Sequence, residues 1–547
     1  MSQEPTDLAR RAAHWAMKLT RQPSVNGTAD EMTFGPWLAQ ALRASPTFGP
    51  GAEIWTIPVA VADGRECVAL LLRGQGRKTV LLAGHFDTVS IDDYADLRGV
   101  ATDPDRLLIA LRARLAAKSE TPSERRAKAD FDSGDYLPGR GLLDMKSGLA
   151  AGLAVMEQFS RALNPAGNLL FIAVPDEENA SAGARQAAPA LAQIAKERGL
   201  DLVAAINLDA TADDGNGDAG RTIALGTVGK LLPTVFVAGV ATHGGFPLNG
   251  INAAALLSAI ALEVEWAPEL TDDTAAQPGT PPSLLSLRDG KAAYDVTTPA
   301  TAFATWNVLI HRRSPMQVLD IFDMLCLRAA SSFLTLLADR ANQSKGKKAA
   351  PNGGPTIQLY RFEQLRDLAL RDNPSAAKRL KKLGSELATS RLSLPEQCSK
   401  MTEHLWQESG LGGPAIVTGF GSIPYLPTQL SMSSNARRLD AVVRAVSTKS
   451  TDRYGVHIAC TDYFAGISDM SFFGEADEAL LDIVGRNTPV WKQSIRWPIE
   501  GALAKIPTVN VGPWGRDYHT PLERLNIGYA FDVLPSILED LVQGVLV

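Results

Sequence analysis

Three short apolar runs, Lys78–Leu82 (KTVLL), Asn168–Val174 (NLLFIAV) and Leu202–Leu208 (LVAAINL), recur in the first part of the chain with helical patterns between them. Bounded runs of this length, apolar at successive positions rather than alternate ones, read as strands buried on both faces, the condition of a parallel sheet. Ala- and Leu-rich helical patterns at Ser147–Leu163 and Ala184–Arg198 supply crossovers. Strands alternating with helices predict an α/β domain whose sheet is covered by helices on both faces. In such sheets ligands bind beyond the carboxyl ends of the strands, so the residues directly after each run are where chemistry is expected.

Composition narrows the classes. With 54 Lys+Arg against 60 Asp+Glu the formal net charge is -6, and there is no long run of one sign, so neither a nucleic acid nor an anionic membrane is an expected partner. The four cysteines, Cys67, Cys326, Cys398 and Cys460, form no CxxC pair, which argues against a disulfide framework and a thiolate zinc site and fits a reducing, cytoplasmic setting. No uninterrupted apolar run approaches the roughly 18–20 residues of a membrane helix, and Met1–Thr20 has a mixed-charge helical pattern without a signal-peptide core. Only 7 histidines occur in 547 residues, so the neighbours of each carry information.

After Gly226 the pattern changes. Leu231–Val240 reads as a strand, Asn252–Trp266 as a helix, Ser283–Thr297 as a hairpin and Thr301–Ile310 as a strand. A long helix from Pro315 to about Arg340, a charged Gly-rich break at Ser344–Gly354 and a strand at Thr356–Arg361 follow. This β-α-β-β-α-β order is that of a small two-layer, ferredoxin-like α+β domain inserted into the larger one. The expected division is a first domain begun over 1–228, an inserted domain over 229–365, and a remainder of the first domain over 366–547 with an extra helical segment at 366–450. Ala415–Thr418, Val456–Cys460 and Thr508–Val511 are expected to return to the first sheet.

The strand exits are polar. His85 and Asp87 follow the first run in Gly84-His85-Phe86-Asp87-Thr88, where a carboxylate two residues on can anchor the second imidazole nitrogen and raise its basicity as a ligand. Taken alone, His-x-Asp is as well explained by a hydrogen-bonded structural histidine. Asp144 lies in the turn Gly139-Arg140-Gly141-Leu142-Leu143-Asp144, opening an Ala-rich helix, where a plain helix cap is the competing explanation. Asp176-Glu177-Glu178 follows the second run; a cation at the strand exit would relieve their mutual repulsion, letting one bind metal while its neighbour stays free as a general base. Asp209 follows the third run, and His519 sits in the loop Gly512-Pro513…His519-Thr520-Pro521-Leu522-Glu523. Two imidazoles (His85, His519) and three carboxylates (Asp144, Glu178, Asp209) make a mixed N/O set that suits two zinc ions with one bridging carboxylate, with Co2+ or Mn2+ as substitutes, and suits magnesium poorly.

The ordered set Gly84-His85-x-Asp87-Thr88, Gly139-Arg140-Gly141-x-x-Asp144-x-Lys146-x-Gly148, Asp176-Glu177-Glu178, Asp209 and Gly512-Pro513…His519-x-Pro521-x-Glu523 resembles the co-catalytic zinc hydrolases that include aminoacylase, acetylornithine deacetylase, succinyl-diaminopimelate desuccinylase and carboxypeptidase G. Length and lid extension resemble most the arginine-utilisation (RocB-like) branch. The resemblance covers about 80 to 525 and offers little to match over 365–450. It implies Asp144 bridging two zinc ions, His85 and Asp209 completing one site, Glu178 and His519 the other, Asp87 orienting His85, and Glu177 as the base that activates water and returns its proton to the leaving amine.

In the inserted domain, Thr242-His243-Gly244-Gly245-Phe246-Pro247 with Gly250-Ile251-Asn252-Ala253 resembles the lid segment whose His reaches the oxyanion from the partner subunit of a homodimer; a Gly-Gly turn before a helix explains it equally. Asn307 and Arg312 resemble lid positions that hold a substrate carboxylate, with adjacent Arg313 an open alternative, and Gly466-Ile467-Ser468-Asp469 resembles a loop near the substrate. The reading is therefore a dinuclear zinc amidohydrolase for an N-acyl amino acid or small peptide-like amide. An aminopeptidase or dipeptidase is the alternative enzyme, and a non-catalytic metal-dependent binding protein the alternative outside catalysis. No Gly-x-Ser-x-Gly elbow is present, and Gly139-Arg140-Gly141-Leu142-Leu143-Asp144 lacks the strand-turn-helix glycine spacing of a dinucleotide fingerprint.

Overall fold

The structure is a computed structural model that describes residues 6–59, 64–213, 215–274, 278–344, 355–371 and 373–547. The chain forms two units: Met1–Thr227 with Thr428–Ala476 and Ala502–Val547, and Val228–Pro427 with Asp477–Gly501.

The first unit is built on an eight-stranded mixed sheet. Its order is Glu53–Pro58, Glu66–Arg73, Ala166–Val174, Gln75–His85, Asp201–Asn207, Thr508–Asn510, Thr222–Ala224 and Ala459–Thr461. Gln75–His85 lies between Ala166–Val174 and Asp201–Asn207 and is parallel to both, and Thr508–Asn510 is parallel to Asp201–Asn207. The apolar runs are therefore the sheet's centre, as their lack of alternation requires: Val80 to His85 and Asn168 to Val174 are buried throughout. Helices Asp7–Arg21, Ser147–Arg161 and Leu534–Leu546 pack together, with Trp15, Leu19, Leu149, Leu153, Leu538 and Leu541 in one core. Helix Ala182–Arg198 packs against strands Glu53–Pro58, Glu66–Arg73 and Ala166–Val174.

The second unit has a six-stranded sheet in the order Gly229–Leu231, Thr301–Ile310, Pro233–Ala238, Ala415–Phe420 and Gln358–Arg361, with Ser283–Asp289 also paired to Thr301–Ile310. Helices Ala253–Val264 and Pro315–Gln343 pack together beside it. Three expectations change. The hairpin expected within Ser283–Thr297 is instead one strand, Ser283–Asp289, whose hairpin partner is Thr301–Ile310. Ala415–Phe420 does not return to the first sheet: it runs antiparallel to Pro233–Ala238 and parallel to Gln358–Arg361. That pairing carries the helices Phe362–Arg371, Pro374–Ala388 and Leu394–Ser409 into the second unit, which ends its first segment at Pro427 rather than at 365. Most of the Gly-rich break at Ser344–Gly354 lies outside the described residues.

Among the described helices, Pro315–Gln343 is long and apolar enough to cross a bilayer by length and composition. Polar residues interrupt it, so no uninterrupted run arises. Arg361 reaches Asp320 at 2.5 Å and Asp323 at 2.8 Å, and Arg328 pairs with Glu263 and Glu269. Val318, Leu319, Phe322 and Leu325 are fully buried in the unit's own core.

Candidate metal centre

Four adjacent strand exits of the first sheet deliver the site. His85 ends its own strand; Glu177 and Glu178 follow Ala166–Val174, Asp209 follows Asp201–Asn207, and the chain leaving Thr508–Asn510 forms the short strand Trp514–Arg516 before the turn that carries His519. Asp144 is the exception to the strand-exit pattern, because it sits in the turn Leu142–Lys146 that opens helix Ser147–Arg161. Two glycines allow that turn to sit where it does. Gly141 has φ +75°, a region a side chain disfavours, and a Cβ on Gly148 would stand 2.0 Å from the Leu208 carbonyl oxygen, directly before Asp209.

The side chains converge. His85 Nε2 lies 3.3 Å from Asp144 Oδ1 and 3.8 Å from Asp209 Oδ1. His519 Nε2 lies 3.1 Å from Asp144 Oδ2 and 3.2 Å from Glu178 Oε2. Two groups of three donors, His85–Asp144–Asp209 and Asp144–Glu178–His519, each have their ligand atoms within 4.8 Å of one another, and Asp144 offers a different oxygen to each. Glu177 belongs to neither; its Oε2 is 3.8 Å from His85 Nε2.

The electrostatics of the apoprotein fit cations. Burial pushes the carboxyls of Glu177, Glu178 and Asp209 above the usual range, Glu177 furthest, and the neighbouring carboxylates add to the rise. Burial acts to lower both imidazoles, but hydrogen bonding to Asp144 with Asp209 or Glu178 overrides it, holding His85 well above its ordinary value and His519 at about 10. Asp144, despite burial, is held down by both imidazoles. The raised carboxyls and imidazoles share one need, for positive charge at this cluster, and buried Glu178 Oε1 accepts no hydrogen bond among the described residues. Two divalent cations would satisfy both needs with the ligand types present.

Outer contacts refine the expected roles. His85 Nδ1 is anchored at 3.0 Å by the backbone carbonyl of Asp87, with the Asp87 carboxylate at 3.6 Å. The carboxylate expected to orient His85 chiefly holds the acidic loop: its oxygens accept from Glu177 N at 3.1 Å, Glu178 N at 3.2 Å and Asn26 Nδ2 at 3.0 Å. Asp176 is not solvated either. It is 2% exposed, and Arg65 Nη1 donates to it at 2.5 Å.

Further contacts brace the ligands from outside the cluster. Asn510 Oδ1 accepts from Asp209 N at 3.2 Å while its Nδ2 donates to the Asp209 carbonyl at 2.9 Å, fixing that ligand's backbone from both sides. Its only signal in the sequence is a polar side chain inside an apolar run. Glu523 accepts from Arg140 Nη1 at 2.7 Å and from Gly141 N at 3.0 Å, tying the Asp144 turn to the His519 loop through a pair that is 1% exposed on each side. Arg140→Met leaves the Glu523 carboxylate buried without its cation and is expected to cost roughly 3–5 kcal/mol of stability, read as a fall in denaturant midpoint at unchanged slope.

Of the other sequence candidates, Asp469 joins this cluster: it is 2% exposed, and burial, with the Asp87 and Asp209 charges adding, pushes its carboxyl up to about 7. Adjacent Ser468 is tied by Asn207 Nδ2 at 2.9 Å to the strand that carries Asp209. His243, Asn307 and Arg312 lie in the second unit. There His243 is exposed, and its Nδ1 accepts from Gly245 N at 3.0 Å, which leaves the proton of the neutral ring on Nε2. Arg312 is exposed, whereas the Arg313 guanidinium donates to the Glu269 carbonyl beside Asp272.

Fold, donor set and family agree. Residues 81–494 match the model of peptidase family M20/M25/M40, and the chain belongs to that family of metal-binding peptidases and hydrolases acting on peptide-type bonds. It falls in the RocB-like branch: it is 28% identical to Protein RocB of Bacillus subtilis over 97% of this chain and 94% of that one, and 30% identical to Uncharacterized protein YqjN of the same organism over 96% and 95%. Among solved structures, a tripeptidase from Staphylococcus aureus shares the fold at a TM-score of 0.54 and 15% identity, covering 98% of each chain.

Proposed function

We propose that the chain is a two-zinc amidohydrolase that removes the acyl group from an N-acyl amino acid or cleaves a small peptide-like amide, with Glu177 as general base. The observation that carries this reading is Asp144, whose two oxygens face two separate imidazole–carboxylate pairs, with a further buried carboxylate beside them that completes neither. His85 and Asp209 with Asp144 would hold one ion, and Glu178 and His519 with Asp144 the other. Imidazole and carboxylate donors favour zinc, with Co2+ or Mn2+ as substitutes. Bound there, the ions would polarise the scissile carbonyl and lower the pKa of water.

The chain's own residues do the rest. Glu177 takes the proton of the attacking water at its carboxylate and later delivers it to the departing amine nitrogen. Burial, which lifts its proton affinity, suits it to hold that proton between the two steps. Asp87 fixes where Glu177 and Glu178 stand by accepting both their backbone N–H groups. His243, with its Nε2–H free to donate, is assigned to the carbonyl oxygen as charge develops, supplied from a second copy in a homodimer formed through the lid unit. Asn307 and Arg312 are assigned to the substrate carboxylate, since Arg313 is committed to the Glu269 carbonyl; Asp469 is assigned to the substrate side of the cluster. Arg312→Ala is expected to raise KM about tenfold or more with little change in kcat, because a bidentate ground-state contact is lost. A steady-state comparison on one substrate checks it.

The RocB-like branch supports a role in arginine metabolism, and the four free cysteines, three of them buried, support a cytoplasmic setting. The test is metal analysis of unchelated protein with a hydrolysis screen over N-acetyl, N-succinyl, N-formyl and N-carbamoyl amino acids and free dipeptides. Release of an amino acid from an acylated substrate supports the proposal. Turnover confined to free-amine dipeptides would assign an aminopeptidase or dipeptidase instead, and metal binding without any turnover would assign a binding protein.

A further inference from the structure

The second unit holds a cavity of about 350 Å³ walled by the helices Phe362–Arg371, Pro374–Ala388 and Leu394–Ser409 and by the segment Asp482–Ile499. Its floor is apolar: Leu370, Leu380, Met401, Leu405, Trp491 and Ile499 face it. Its cations are not equally free. Arg486 is paired with Asp482 at 3.0 Å and Glu363 at 3.2 Å, and Arg366 donates to the Arg486 carbonyl and to Asp367. Lys381 and Lys492 are exposed at the cavity and have no carboxylate within ion-pair distance among the described residues.

Trp491 and Gln493 stand in the wall. Lys492, between them in sequence, is held at φ +71°, a conformation disfavoured for a side-chain-bearing residue, in a turn closed by Lys492 N donating to the Ile495 carbonyl at 3.0 Å.

We propose that this cavity is a binding site for a small amphipathic monocarboxylate, with its hydrocarbon body on the Leu380–Met401–Leu405 floor and its carboxylate at Lys381 and Lys492. The ligand class follows from the combination. An apolar floor excludes a compact hydrated anion such as phosphate, two uncompensated ammonium groups at one mouth exclude a neutral hydrocarbon, and the volume suits a single small molecule. The cavity's residues are separate from the metal cluster and from Asn307, Arg312 and His243, so the site is distinct from the one that carries the proposed reaction.

The test uses the full-length, metal-loaded protein and octanoate as the probe, followed by titration calorimetry and tryptophan fluorescence. One saturable site with Kd on the order of 1 mM or below is expected, the affinity a ligand of this size supports. Octanamide, which keeps the chain and loses the charge, should bind about tenfold more weakly or worse, as should octanoate to the K381E/K492E variant. That variant should retain basal amide turnover, which separates this site from the metal centre. Trp491→Phe should abolish the octanoate-dependent fluorescence change while leaving calorimetric binding in place, since the ring volume is largely kept. The proposal is overturned by absence of saturable binding, by equal affinity for octanamide, by wild-type affinity in K381E/K492E, or by an unchanged fluorescence response in Trp491→Phe.

Discussion

Glu177→Gln is expected to abolish turnover while both metal positions stay filled. The side chain stands 3.8 Å from His85 Nε2 yet completes neither donor group, so its removal takes no ligand from the ions. On the proposed mechanism, what it removes is the acceptor and later donor of one proton. Such a positioned acid–base group is worth about 10²–10⁴-fold in rate, and the Gln variant preserves shape, loop hydrogen bonds and burial while losing proton affinity. The measurement is kcat on whichever amide the substrate screen identifies, alongside moles of metal per chain. A loss of less than tenfold at full metal content would refute the assignment of Glu177 as base.

Asp144→Ala is expected to differ in kind from every other ligand substitution, because Asp144 is the only side chain common to both donor groups found among the described residues. Asp209→Ala or His519→Ala takes a donor from one group, so one equivalent of metal should be lost or weakened while the other persists. Asp144→Ala takes a donor from both. A bound ion present at about a thousandfold over its Kd stabilises the fold by about 4 kcal/mol. Chelation should therefore lower the melting temperature of the wild-type protein strongly and that of the single-group variants less, and leave that of Asp144→Ala nearly unmoved. Metal stoichiometry with and without chelator checks the order. An Asp144→Ala protein retaining two tight equivalents would overturn the shared-ligand geometry.

Much of this site is legible before any coordinates. The apolar runs Lys78–Leu82, Asn168–Val174 and Leu202–Leu208 are long enough to be strands and too continuous to be anything but central ones, and once they are parallel neighbours their exits must be neighbours too. His85, the Glu177–Glu178 pair and Asp209 follow from that argument alone. Side-chain partners are a different matter. Whether Asp87 meets His85 through its carboxylate or its carbonyl depends on a turn of a few degrees, and no spacing rule distinguishes a 3.0 Å contact from a 3.6 Å one. Arg140 and Glu523 stand at opposite ends of the chain, and only the closed fold makes them one ion pair.

Sheet membership was the weakest inference for a related reason. Ala415–Phe420 and Thr508–Asn510 are both short and bounded, and the hydrophobic pattern states that each is a strand without stating beside which neighbour. The pairing of Ala415–Phe420 with Pro233–Ala238 moved the unit boundary from 365 to 427 and carried three helices with it. The cavity bounded by those helices is correspondingly invisible in the sequence, where Lys378, Arg379, Lys381 and Lys382 in the helical pattern Ala376–Ser385 read most simply as a solvated basic face.

The first unit is assembled from three separate stretches of chain, with the second unit interposed between Asp209 and His519. During synthesis this imposes an order on the site. His85, Asp144, Glu177, Glu178 and Asp209 all leave the ribosome before any of the second unit, and His519 leaves after nearly all the rest. A nascent chain that has folded its first three central strands therefore displays four carboxylates around one imidazole, a cluster without its second imidazole, and can offer a complete donor set for only one ion. On the proposed ligand set, filling of the second position would report that the chain has been made as far as His519, including the unit that supplies none of those ligands.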